Sequence, residues 1–250
     1  MPTHTASPNP AAPAHPTSSW WIDLPGGQGA FGGHLALPPA GHGPGLLLLQ
    51  EIFGVNRHIR AVAEQYALDG FVVLAPDLFW RSAPRIELDY VGEDRQRAMT
   101  LMNALTPEHL RSDLSAALRA LRARPETTGR VGALGYCMGG RLAYQCAAWG
   151  EVDAAVAYYG GGIQRLLDLA PQVRCPIQFH YAETDEHIPP EAVEAVRSAM
   201  AEQDAEVHVY PGALHGFNCW DRASYHPASA ALAHGRSLAF LATLFGPGEA

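Results

Sequence analysis

The chain has 250 residues and a formal net charge of −8, and all 17 of its basic residues are arginine. Without lysine there is no Schiff-base amine, no phosphate-loop lysine and no serine–lysine dyad. An acidic chain also lacks the clustered positive charge that binding to a nucleic-acid backbone requires, so no nucleic-acid partner is expected.

Residues 1–19 carry five prolines and no charged side chain. They cannot bury enough apolar surface to offset ordering entropy, which predicts a flexible tail followed by one domain over 20–250. Trp20–Leu24 and Phe31–Leu37 flank a Pro/Gly-rich turn and read as a hairpin. Leu46–Gln50 is a short continuous apolar run consistent with a buried strand, and Asn56–Asp69 has helical spacing with Gly70 as its stop. A strand over Phe71–Ala75 runs into Pro76-Asp77, and a helix is predicted around Glu93–Leu105. Thr106-Pro107-Glu108 supplies a cap, an N1 proline and an early acid for a helix reaching Arg124. Strands follow at Val131–Gly135, Val152–Tyr159, Ile177–Tyr181 and Glu206–Tyr210, with helices at Met138–Trp149, Pro190–Gln203 and Ala228–Phe245. This alternation predicts an α/β fold with a mostly parallel sheet covered by helices on both faces.

No apolar run approaches the roughly 18–20 residues that span a membrane, and no secretory pattern opens the chain. Cys137, Cys146, Cys175 and Cys219 form no C-x-x-C pair, so they match neither a disulfide scaffold nor a zinc site. A reduced, cytoplasmic protein without metal or cofactor is expected, and a monomer is favoured.

The most specific feature is Gly135-Tyr136-Cys137-Met138-Gly139-Gly140, between an apolar strand and a helix. It has the spacing of a nucleophile elbow, with cysteine in the nucleophile position. Glycines permit the tight turn, and the helix N-terminus that follows favours an anion on the cysteine. A nucleophile needs a base, and the base needs an orienting acid. The strand over Ile177–Tyr181 leads into a loop with Asp185, and the strand over Glu206–Tyr210 leads into a loop with His215. Both loops belong to the carboxyl edge of the sheet, where the elbow also lies. Cys137 is therefore read as nucleophile, His215 as general base and then acid, and Asp185 as its orienter. Glu183 or Glu186 compete for the acid's role, and His187 or His180 for the base's. The segment after Leu46–Leu49 supplies Glu51 and the backbone N–H of Ile52, which with the N–H of Met138 would form the oxyanion hole.

These blocks, together with Ala75-Pro76-Asp77-Leu78 and Val156–Gly160, resemble the dienelactone hydrolase family over about Leu46 to Phe245. The resemblance implies an α/β-hydrolase fold and a cofactor-independent thiol hydrolase acting on a small lactone or activated ester. It implies the triad Cys137, Asp185 and His215, with Glu51 contacting the nucleophile and controlling its ionisation, and Tyr159 lining the pocket. For a substrate carboxylate it implies Arg95, with Arg97 as the other register. The family's second arginine falls on Cys219, with Arg222 close by, and Met99 replaces a tyrosine. Arg81 and Arg141 read as solvated arginines. A general carboxylesterase or thioesterase is the alternative enzyme, and a redox sensor built on Cys137 the alternative outside enzymes.

Overall fold

The computed structural model describes residues 17–26 and 29–245. The chain runs through strands β1 (Ser18–Gly26), β2 (Gly29–Leu37) and β3 (Gly43–Leu49), helix α1 (Arg57–Leu68), strand β4 (Val72–Pro76), and helices α2 (Gly92–Ala104) and α3 (Pro107–Arg122). Strand β5 (Thr127–Tyr136), helix α4 (Met138–Ala148), strands β6 (Ala154–Tyr158) and β7 (Ile177–Thr184), helix α5 (Pro190–Ala199), strand β8 (Ala205–Leu214) and helix α6 (Pro227–Leu241) complete it. The strands make one sheet in the order β1-β2-β4-β3-β5-β6-β7-β8. β1 and β2 are antiparallel to their neighbours, and from β4 onward every pairing is parallel. A parallel sheet needs crossovers that return over its faces, so its central strands are apolar on both sides. β3, β4 and β6 are accordingly buried at every position.

Local chemistry sets the helix starts. The Asn56 side chain accepts from the Ile59 amide to cap α1, and Thr106 caps α3 in the same way from His109. Pro107 stands at N1 of α3, where a missing N–H costs no hydrogen bond. Two short 3-10 turns, Ile163–Arg165 and Leu167–Gln172, lie between β6 and β7. They carry no apolar periodicity long enough to be read from sequence.

One expected boundary is corrected. The sequence predicts a tail over 1–19, whereas Ser18 and Ser19 are paired with Leu37 and Ala36 in β1. The Ser19 hydroxyl also donates to Glu64 at 2.6 Å, which ties the start of this edge strand to α1. Residues 1–16 of that expected tail lie outside the described residues.

Candidate active site

The parallel strands deliver their loops to one edge, and three close glycine contacts shape the turn after β5. A Cβ at Gly135 would stand 2.1 Å from the Gly139 carbonyl oxygen, and one at Gly139 would stand 2.2 Å from that of Leu49. A Cβ at Gly140 would meet the Tyr158 oxygen at 2.5 Å. Only glycine lets α4 start this close to β3 and β6. At the corner Cys137 takes φ +55°, a conformation disfavoured for a residue with a Cβ and held by its surroundings. The Cys137 amide donates to the Tyr158 oxygen at 3.0 Å, and the Cys137 oxygen accepts from the Arg141 amide at 3.3 Å. Cys137 as a residue is partly exposed.

His215 and Asp185 arrive from the loops after β8 and β7. His215 Nδ1 lies 2.8 Å from Asp185 Oδ2, and both residues are buried. The other carboxylate oxygen, Oδ1, accepts from the His187 amide at 2.8 Å, so Asp185 is held from two sides. Nε2 of His215 is buried without a hydrogen bond of standard geometry, but the Cys137 sulfur acts on the ring through charge and weak hydrogen bonding. Burial disfavours the imidazolium, whereas the Cys137 charge, the Asp185 hydrogen bond and the Asp185 charge favour it. The favourable set prevails, and the His215 pKa is pushed up from 6.5 to about 10.

The competing residues have other partners. Glu183 accepts from the Gly212 amide at 2.9 Å. Glu186 pairs with His187 at 3.3 Å and with Arg95 at 3.9 Å. His187 packs edge-on against His215 at 5.0 Å between ring centres. His180 is sealed in the core between Tyr210 and Gln178, each at 2.7 Å, and burial keeps it well below the usual imidazole range. Cys146, a conceivable resolving thiol for Cys137, is fully buried in α4, and burial drives its pKa upward.

Glu51, two residues past the end of β3, is 1 % exposed. The Gln50 side chain fixes this segment, donating to the Glu51 oxygen at 3.3 Å and accepting from the Leu78 amide at 3.4 Å. Glu51 makes no hydrogen bond to Cys137. Its Oε1 instead accepts from Arg222 Nη1 at 3.0 Å, and its Oε2 is buried without a partner. Burial raises the Glu51 pKa, and the Arg222 and His215 charges oppose that rise. Among the described residues neither the Ile52 amide, in the loop after β3, nor the Met138 amide, at the start of α4, donates a hydrogen bond to protein.

A cavity of about 590 Å³ opens on Asp185, His215 and Arg222, with Arg95, Glu186 and Leu214 also on its walls. Arg95 therefore reaches the site and Arg97, exposed on α2, does not line it. Tyr159 departs from the expected pocket-lining position: it is fully buried, with φ +35°, and backs the His215 ring at 5.0 Å. Cys219 is also fully buried. Arg222, three residues further on, supplies the guanidinium in this cavity.

The sequence model of the Dienelactone hydrolase family matches residues 31–245. The chain belongs to the dienelactone hydrolase family. It is 37% identical over 221 residues to the carboxymethylenebutenolidase of Pseudomonas sp. (strain P51), covering 88% of this chain and 92% of that one. To the carboxymethylenebutenolidase of Pseudomonas putida it is 38% identical over 216 residues, covering 86% and 92%. A crystal structure from Klebsiella pneumoniae subsp. pneumoniae MGH 78578, assigned as a dienelactone hydrolase, superposes with a TM-score of 0.78 at 31% identity, covering 90% of this chain and 98% of that one. This dienelactone hydrolase family member is accordingly a hydrolase of ester or lactone bonds with an α/β-hydrolase fold. No helix among its described residues is long and apolar enough to cross a membrane.

Proposed function

We propose that the chain hydrolyses a small lactone or activated ester, of the kind named for its carboxymethylenebutenolidase relatives, through an acyl-enzyme on Cys137. The observation that carries this reading is the Asp185–His215 pair at 2.8 Å, with the Cys137 sulfur acting on the His215 ring from an elbow held at φ +55°. Asp185 holds Nδ1–H, which leaves Nε2 to exchange a proton with sulfur and substrate. The Cys137 sulfur attacks the carbonyl carbon, forming a C–S bond while the carbonyl electrons move to oxygen. The Ile52 and Met138 amides stabilise that oxyanion. On collapse the C–O bond to the alcohol or enol breaks, and the His215 imidazolium protonates the departing oxygen. A water then gives a proton to His215, attacks the thioester and releases the acid, returning the thiol–imidazole pair.

Glu51 has a separate role in this scheme: its carboxylate, buried and held by Arg222, would reach the thiol only once the Arg222 contact changes. Turnover of a five-membered enol lactone and of 4-nitrophenyl acetate tests the reading. Wild-type protein should hydrolyse both, and Cys137→Ala should reduce both by at least about a thousandfold with no loss of folding. Equal turnover by Cys137→Ala would overturn it.

A further inference from the structure

Arg141 lies one turn into α4, and its backbone amide is bonded to the Cys137 oxygen. Its side chain is half-buried, yet among the described residues its guanidinium has no salt bridge and no hydrogen bond. Arg165, at the end of the 3-10 turn Ile163–Arg165, is exposed and equally without a partner. The two converge on one glycine. A Cβ at Gly162 would stand 2.7 Å from Arg165 Nη2 and 3.1 Å from Arg141 Nη1. Gly162 has φ +92° and no side chain, so the two like charges face each other across an open backbone position. Burial disfavours the charge on Arg141; the Cys137 charge offsets this in part, and the nearby Arg165 adds to the cost. No acid is among the groups acting on it.

Two guanidiniums held together, one of them half-buried and with no acidic side chain between them, are unfavourable unless an anion joins them. Of the arginines of the main cavity, Arg222 is held by the buried Glu51 at 3.0 Å, while Arg95 makes only a loose 3.9 Å contact with Glu186. Neither Arg141 nor Arg165 lines that cavity. We propose that Arg141 and Arg165 form an anion subsite over Gly162, beside Cys137, that takes a carboxylate carried by the substrate. As a subsite for substrate it rests on the hydrolase reading; as a binding site for a carboxylate it does not.

Succinate is the probe, titrated calorimetrically into wild-type protein, R141Q, R165Q and, as a control on α2 away from the cavity, R97Q. Wild type and R97Q should bind alike, while R141Q weakens binding about tenfold and R165Q about threefold. Added salt should weaken wild-type binding more than that of R141Q. In parallel, the ratio of kcat/KM for 4-nitrophenyl hemisuccinate over 4-nitrophenyl acetate should fall about tenfold in R141Q. Succinate that fails to bind, or binds R141Q as tightly as wild type, overturns the subsite whatever the turnover. Succinate binding that depends on Arg141, in a protein that hydrolyses neither ester, upholds the subsite and overturns the hydrolase reading.

Discussion

Arg222 reaches Glu51 across the α-carbon of Gly216. Its Nη1 donates to Glu51 Oε1 at 3.0 Å, and a Cβ on Gly216 would stand 2.4 Å from that same nitrogen. The guanidinium also lies over the rings of Tyr90 at 5.5 Å and Phe53 at 5.9 Å. The residue directly after His215 therefore decides whether a cation arriving from further along the loop can reach the buried acid. Gly216 also has φ +80°, which an alanine would adopt only under strain. Gly216→Ala should displace Arg222, and the backbone strain alone should cost about 1 kcal/mol. Denaturant unfolding and the pH–rate profile measure the two effects; an unchanged profile would show that Arg222 does not govern Glu51.

Removing Arg222 leaves a carboxylate that is 1 % exposed without its hydrogen-bonded cation. Breaking a buried pair from one side costs about 3 kcal/mol or more, because the remaining charge stays desolvated. Arg222→Gln should lower stability by that order, and adding Glu51→Gln should restore most of the loss. A double-mutant cycle by urea unfolding measures the coupling, and additive losses would refute it.

His215 gives a pH signature. Its pKa is about 10 in the folded protein against an ordinary 6.5, so the native state binds this proton more tightly. The resulting stabilisation is fully present below about pH 6.5 and is lost as pH rises through about 10. The His215→Gln variant should therefore show a flatter stability profile across that window than wild type. The Cys137 charge is the strongest of the effects raising this pKa, so Cys137→Ala should move it down in an NMR titration of the ring. An unmoved titration would separate the two residues.

Arg95 and Glu186 should matter little to stability. Their contact is 3.9 Å between side chains that are 58% and 72% exposed, and surface pairs of this kind contribute well under about 1 kcal/mol. Arg95→Ala should leave the thermal midpoint close to wild type. Because Arg95 lines the cavity, the same change should alter KM. A large drop in the midpoint would make Arg95 structural instead.

The parts of this site that follow from local backbone chemistry were legible in the sequence. The glycines around Cys137 announce a turn because no Cβ fits against Gly139, Leu49 or Tyr158, and the strand–loop positions of Asp185 and His215 bring both to one sheet edge. The long-range side-chain partners were not legible. Glu51 and Arg222 stand 171 positions apart, and no periodicity links them. A glycine directly after His215, with an arginine a few residues on, was the available signal. Tyr159 is a related case: its position after β6 is evident in the sequence, but its burial behind the His215 ring depends on tertiary packing. Arg141 reads as an ordinary helix arginine until Arg165 and Gly162 are seen beside it.

The most direct measurement is the acyl-enzyme itself. Wild-type protein turning over 4-nitrophenyl acetate, quenched in acid within the first turnovers, should carry one acetyl group by intact mass. Peptide mapping should place it on Cys137, and His215→Gln should accumulate more of it if release needs the base more than attack does. Turnover with no adduct, or an adduct on Cys146, Cys175 or Cys219, would contradict nucleophilic catalysis by Cys137.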